Sequence, residues 1–205
     1  MKTTHIITLS FDDGFRKSSI KTAEIYEQHK LSACINIVAS AHMNDFRPPD
    51  YPDVRRADFG LWNDLKARSH EIMPHGYKHA NKARLPFAEA KDLIVRCLDV
   101  FDKELKGFDR KQAVFNFPYN ASTPELDAWL PTQVRAFRAG GGAINPWPQR
   151  GRAKLGTTAF GPGNCEAFLD RQIETLLAKE SGWLVYTAHG LDDEGWGPLR
   201  ANYLE

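Results

Sequence analysis

The sequence predicts an α/β fold built on a parallel sheet. Short apolar, β-branched runs alternate with helix-spaced segments along the chain, and no internal repeat or low-complexity stretch interrupts them. The residues richest in chemistry, paired aspartates and spaced histidines, follow predicted strands, at the C-terminal rim where such sheets carry their sites. A chain of 205 residues suits one sizeable core and is short for two, so residues 1–205 are read as a single domain. An open sheet and a closed barrel share this alternation, and spacing alone does not separate them.

The first predicted strand, His5-Ile6-Ile7-Thr8-Leu9-Ser10-Phe11, is apolar and β-branched and stops at Asp12-Asp13-Gly14. Gly14 permits the sharp turn that must follow. Residues 16–29 read as a helix with Ile20, Ala23 and Ile25 or Tyr26 inward, and residues 33–38 as a second strand. Residues 40–57 contain Pro48, Pro49 and Pro52 and are expected to form an irregular loop over the cleft. A helix over 59–68 leads to a short strand at 70–73. The clearest helix is 87–105, where Ala90, Leu93, Ile94, Cys97, Leu98 and Phe101 recur at helical spacing. A strand at 113–117 precedes a helix at 123–130, with Thr123 as cap and Pro124 in the first turn. Beyond Gln133 the pattern gives a strand at 134–138, a turn at Gly140-Gly141-Gly142, an amphipathic helix at 164–180 and a buried strand at 183–188. The three glycines lack the flanking pattern of a phosphate loop and are read as a plain loop. From Leu199 the sequence resembles the first turns of a helix, and then it stops.

Two adjacent carboxylates at a strand end repel each other, and burial raises the pKa of whichever stays unpaired. A bound cation relieves that repulsion, so that one aspartate ligates metal while its neighbour acts as a base; an Asp-Gly pair is also an ordinary turn former. His75 and His79 stand four residues apart, which on a helical turn puts both imidazoles on one face. Together Asp13, His75 and His79 offer one carboxylate and two imidazoles, a ligand set that leaves a position open for water or substrate.

At these residues the chain resembles the NodB-type polysaccharide deacetylases, carbohydrate esterase family 4. The resemblance runs in motif order from Leu9 to His189. Leu9-Ser10-Phe11-Asp12-Asp13-Gly14 is similar to the first motif, which implies Asp12 as base and Asp13 as metal ligand. His75-Gly76-Tyr77-Lys78-His79 is similar to the second, whose histidines ligate metal, although Gly76 stands where Ser or Thr is usual and a hydroxyl brace is lost. Asn116-Phe117-Pro118-Tyr119 matches the third motif with Asn in place of Arg. The fourth, an Asp-Trp motif, has only Asn145-Pro146-Trp147-Pro148 as its nearest candidate. Leu184-Val185-Tyr186-Thr187-Ala188-His189 matches the last.

The resemblance implies a distorted (β/α) barrel with fewer than eight strands. It implies a divalent metal, zinc first, on Asp13, His75 and His79, Asp12 taking a proton from water, and His189 protonating the leaving amine or alkoxide. A backbone N–H at Tyr119 would help hold the oxyanion. The substrate implied is an acetylated carbohydrate, N- or O-linked. With Asn116 adding no positive charge, Asp12 is expected to be a stronger base than its counterparts, hydrogen-bonded by Asn116, with Arg138 able to reach the cleft and replace the charge. Asp192, Asp193 or Glu194 is expected to accept a hydrogen bond from His189 and raise its pKa. Because a further helix and strand usually follow in related barrels, an open seam beside residues 6–10 is expected, covered by a second copy in a homodimer.

Net charge is +1, from 27 basic and 26 acidic side chains, which gives no nucleic-acid or membrane signal. Arg135, Arg138, Arg150, Arg152 and Lys154 make one region locally basic, read as a solvated face before a contact for an acidic sugar. No run approaches the roughly 18 apolar residues of a membrane span. Cys34, Cys97 and Cys165 are odd in number and widely spaced, as buried thiols of a reducing compartment are. With a strand starting almost at Met1, a cytoplasmic location is the expectation, although a removed signal peptide would leave the same sequence. Two other function classes stay open. One is an amidohydrolase of the same fold acting on a small cyclic or linear amide. The other is a non-catalytic relative in which Tyr77, Tyr119, Trp147 and Trp196 stack on sugar rings. The joint presence of Asp12, Asp13, His75, His79 and His189 argues for catalysis.

Overall fold

The computed structural model describes residues 4–41, 57–148 and 151–205. The expected loop over the cleft falls largely outside these residues, as does Arg150. Among the described residues, eight strands and six α-helices follow one another as β1 His5–Phe11, α1 Arg16–Gln28, β2 Cys34–Ile37, α2 Phe59–Ala67, β3 Glu71–Pro74, α3 Phe87–Glu104, β4 Val114–Asn116, α4 Pro124–Trp129, β5 Ala136–Gly140, β6 Ile144–Asn145, β7 Lys154–Thr157, α5 Cys165–Leu177, β8 Gly182–Ala188 and α6 Ala201–Leu204.

Most elements fall where patterning puts them, for the physical reasons expected. Helix α3 buries Ala90, Leu93, Ile94, Cys97, Leu98 and Phe101, the residues at helical spacing. Full burial of one Leu or Ile of that set contributes about 1.5–3 kcal/mol. Thr123 caps α4 by accepting from the Leu126 N–H, with Pro124 in the first turn. Asp58 caps α2 through the N–H groups of Gly60 and Leu61. Strands β6 and β7 were not expected. β6 has two residues and β7 is Lys-Leu-Gly-Thr, too short and too polar to show a strand period. No helix among the described residues is long and apolar enough to cross a membrane.

The strands form two sheets, one in the order β3-β2-β1-β8-β6 and one in the order β4-β5-β7. Every pairing is parallel except that of β6 on β8. A parallel bridge between Thr158 and Tyr186 links the end of β7 to β8. Among the described residues no ladder joins β3 to β4, so the strands curve as two sheets rather than a ring hydrogen-bonded shut. The chain is a mixed α/β fold on parallel sheets, as expected; closure into a barrel is not seen among the described residues, which hold eight strands in two sheets.

The expected seam beside β1 is absent. β8 pairs with β1 over its whole length, from His5 with Gly182 to Phe11 with Ala188, and β2 pairs with its other edge at Ser10 and Phe11. The edge that a missing further strand was expected to leave open is therefore taken by β8, which removes that reason for a homodimer. Residues after Leu199 form the short helix α6, which packs through Ala201, Tyr203 and Leu204 on the cluster of Phe11, Ile25, Leu169, Leu184 and Leu199. The larger core lies between β2 to β5 and helices α2, α3 and α4, around Ile35, Trp62, Leu65, Ile94, Phe101, Phe115 and Phe137. Packed from both sides, the strands direct their C-terminal ends to a common rim.

Candidate active site

Consecutive strand residues point to opposite faces, so Asp12 and Asp13 share a cleft only if the chain turns between them. It does. Asp12 still donates its N–H to the Ala188 carbonyl (2.9 Å), continuing the β1–β8 ladder. Asp13 and Gly14 then adopt left-handed conformations, φ 75° and 68°. A Cβ on Gly14 would lie 3.1 Å from both Ile37 Cγ2 and Trp62 Cζ2, so a side chain there would be crowded as well as strained by φ. Both carboxylates end up buried, 3% and 6% exposed.

His75 follows β3, and His79 comes from the irregular segment after it, so the spacing of four does not mark a helical turn. The loop nevertheless brings the imidazoles together, with ring centroids 5.3 Å apart. Asp13 Oδ1 lies 3.4 Å from His75 Nε2 and 3.3 Å from His79 Nε2. One ligand atom from each of these residues falls within 4.8 Å of the others. His75 Nδ1 donates to the Asn116 carbonyl (3.0 Å), which leaves the Nε2 lone pair facing the carboxylates. Burial lowers the pKa of His79 to about 4, keeping it neutral. Burial opposes ionisation of Asp13, yet the adjacent His75 and His79 hold its carboxyl well below the usual range. Asp13 Oδ1 is buried with no hydrogen-bond partner. A buried carboxylate oxygen without a hydrogen-bond partner, facing two imidazoles, fits a divalent cation.

Asp12 sits in a different environment. Arg138 on β5 donates Nη2–H to Asp12 Oδ2 at 2.6 Å, and its Nη1 reaches Thr187 Oγ1 (2.7 Å) and Ser10 Oγ (3.1 Å). Asn36 on β2 donates to Asp12 Oδ1 (2.7 Å). Asn116 does not bond Asp12 as expected; its amide donates to Asn36 Oδ1 (2.8 Å) and steadies Asp12 one step removed. The expectation of a stronger base is also corrected. Burial raises the Asp12 pKa, but the Arg138 charge, with His75 behind it, outweighs burial and holds it below the usual carboxylate range. Arg138 thus reaches the cleft and supplies the charge that Asn116 lacks, while its Nε remains buried without a partner.

His189 follows β8 and lines the same cavity of about 700 Å³, with Asp12, Asp13, His75, His79 and Tyr119. Its ring meets Trp196 edge to face at 5.5 Å. The acidic loop beyond it is engaged elsewhere. Asp193 pairs with Lys17 (2.6 Å), Glu194 accepts from the Ser18 N–H and hydroxyl (2.7 and 2.6 Å), and Asp192 accepts from the Ala201 N–H (2.9 Å). Among the described residues none of these carboxylates bonds His189, contrary to expectation. Tyr119, at φ 58°, lays its half-exposed ring against His79 at 4.7 Å.

Sequence reasoning passed over Thr157 and Thr158, which line the cavity at the end of β7, and Asn36. A polar Asn between Ile35 and Ile37 in a buried strand was the available signal. Of the proposed sugar-stacking aromatics, Tyr119 and Trp196 line the cavity, whereas Tyr77 packs under Arg96 with the guanidinium 4.2 Å from the ring. In the basic region Arg135 bonds Gln112 and Lys154 pairs with Asp127, as a solvated face does, but Arg138 departs from that reading and is buried against Asp12.

No family model matches the sequence, and no curated protein does. Solved structures do match. The carbohydrate esterase family 4 domain of a xylanase from the hindgut metagenome of Trinervitermes trinervoides superposes with a TM-score of 0.59 at 13% identity, over 94% of this chain and 76% of that one. A family 4 carbohydrate esterase from Streptomyces lividans, in complex with acetate, gives 0.58 at 15% identity over 90% and 78%. A family 4 pseudoenzyme from Bacillus anthracis gives 0.56 at 10% identity over 97% and 56%. The likeness that the motifs carry therefore extends to the backbone: the chain has the fold of the family 4 carbohydrate esterases.

Proposed function

We propose that the protein is a metal-dependent hydrolase that removes N- or O-linked acetyl groups from a carbohydrate. One observation carries this reading: an ion-paired Asp12 and Asp13, whose Oδ1 lacks a hydrogen-bond partner, open into one cavity with His75, His79 and His189. Asp13 through its carboxylate, and His75 and His79 through Nε2, would hold the cation, and one carboxylate with two imidazoles suits zinc. When bound, a divalent cation supplies Lewis acidity, acidifying water and polarising the acyl carbonyl.

Asp12 takes the proton of the attacking water. Both its oxygens are already aligned, Oδ1 by Asn36 and Oδ2 by Arg138, so little reorganisation accompanies the transfer. His189 gives a proton to the leaving nitrogen or oxygen as the acyl bond breaks, releasing acetate and the free amine or hydroxyl. The main-chain N–H of Tyr119 is assigned to the oxyanion, and the rings of Tyr119 and Trp196 flank the entrance for a sugar to stack on. The fold of carbohydrate-acting neighbours supports the substrate class. Neither Asp12 nor His189 is replaced, which favours an enzyme over a non-catalytic relative.

The test is acetate release by zinc-loaded protein from panels of N-acetylated and O-acetylated oligosaccharides. Asp12→Asn is expected to retain the metal while turnover falls about 10²–10⁴-fold. Equal turnover in wild type and variant, or no release from any panel member, overturns the reading.

A further inference from the structure

The loop that carries His79 is held from two sides. On one, the Ala39 N–H donates to the Gly76 carbonyl (2.9 Å) and the Ser40 N–H to the Tyr77 carbonyl (3.1 Å). On the other stands Lys82. Its side chain is fully buried, at 0% exposure, and among the described residues no carboxylate lies within ion-pair distance. A buried ammonium without a counter-charge is costly unless its N–H groups are used. They are used on the main-chain carbonyls of Lys78 (3.2 Å) and Ala80 (3.0 Å), the residues on either side of His79. Asn81 accepts from the Ala83 N–H and caps the 3₁₀ turn from which Lys82 points inward.

Gly76 is the other half of the arrangement. A Cβ there would lie 3.0 Å from Lys82 Nζ and 3.2 Å from the Lys78 carbonyl oxygen, and φ is +90°. The ammonium fills the space that a side chain at 76 would take, and it grips the carbonyl that such a side chain would meet.

We infer that Lys82 is a positioning residue for the cation site: its ammonium clamps the peptide groups flanking His79 and so aims that imidazole at Asp13. This rests on the metal-site reading given above. Lys82 touches neither the metal ligands nor the cavity. Its effect travels through the loop backbone, as that of residues supporting metal ligands does.

Lys82→Met keeps the length and removes the donors; Lys82→Gln keeps one amide donor. The measurement is the zinc dissociation constant by competition with a chromophoric chelator, together with Tm of metal-free and zinc-loaded protein. Lys82→Met is expected to weaken zinc binding about 10- to 100-fold and to shrink the rise in Tm that zinc produces. Lys82→Gln is expected to fall between it and wild type. A zinc affinity within about twofold of wild type in Lys82→Met, with Tm lowered equally in both forms, would mean that the lysine serves packing alone, and overturns the inference. If Lys82→Met does not fold, Lys82→Gln decides by the same criterion, and failure of both to fold overturns it too. Wild-type protein that binds no zinc would instead sink the metal-site reading itself.

Discussion

Replacing Arg138 with methionine keeps most of its bulk and removes the positive charge beside Asp12. The two side chains are 1% and 3% exposed and meet at 2.6 Å, so neither has water to fall back on. Breaking a buried pair by removing one partner costs about 3–5 kcal/mol, because the remaining charge is left uncompensated. In a chain of this size that lowers Tm by roughly 6–20 °C. The loss depends on pH, and its sign follows from Asp12. In wild type the folded-state pKa lies below the unfolded one, so the pair contributes stability above about pH 4, lost as pH falls through the folded value. In Arg138→Met burial acts without the arginine and moves the folded pKa above the unfolded one, so ionisation of Asp12 opposes folding as pH rises. The stability gap between wild type and variant is therefore expected to widen from about pH 4 to pH 7. Urea unfolding of both proteins in chelator across that range measures it. The double variant Asp12→Asn/Arg138→Met, with no charge left to strand, is expected to recover much of the loss. Parallel curves for the single variant, or a destabilisation under about 1 kcal/mol, would refute the reasoning.

His79→Ala is expected to lose zinc and acetate release together, checked by metal analysis after gel filtration; full occupancy would remove His79 from the ligand set. Gly14→Ala forces a side chain to φ +68° and to 3.1 Å from Ile37 and Trp62, and is expected to cost about 1–3 kcal/mol in urea unfolding. A loss below about 0.5 kcal/mol would show that the Asp-Asp turn relaxes freely. Burial pushes the Lys82 ammonium from the usual 10.5 to about 8, so the folded state releases its proton first and stability rises with pH across that window. Wild type is thus expected to gain on Lys82→Met between those pH values, and an unchanging difference would contradict a buried charge.

The helices α1, α3 and α5 and the strands β1 and β8 were legible because each has enough residues for a hydrophobic period to declare itself, and β2 because its four residues lie within a longer apolar run. β6 and β7 were not, since two and four residues carry no period, and β7 is completed by its neighbours rather than by its own composition. The seam misjudged beside β1 shows a related limit. Strand order is a long-range property, and nothing in residues 183–188 states that they will pair with residues 5–11 rather than end a sheet. His75 and His79 were found through a spacing that suits a helix, yet they meet on a loop. The three candidate ligands do come together, whereas the local conformation inferred from their spacing does not occur.

The arginine was the hardest part to read, and its location explains why. A linear motif expects the positive charge at position 116, where the chain has Asn. In the sheet Asn116 and Arg138 are register partners on the adjacent parallel strands β4 and β5. Register partners stand side by side at one height, about 4.8 Å apart, with their side chains directed to the same face. Arg138 therefore stands at the same level relative to the rim as Asn116, and the length of its side chain spans the distance to Asp12. Asn116 bonds Asn36 and offers its carbonyl to His75, so one residue steadies the surroundings of both Asp12 and His75. The positive charge beside Asp12 is legible as a height on the sheet and not as a place in the sequence, since the strand that carries it is adjacent in space and 22 residues away along the chain. Its Nε remains buried without a partner, so the guanidinium is only partly satisfied where it stands.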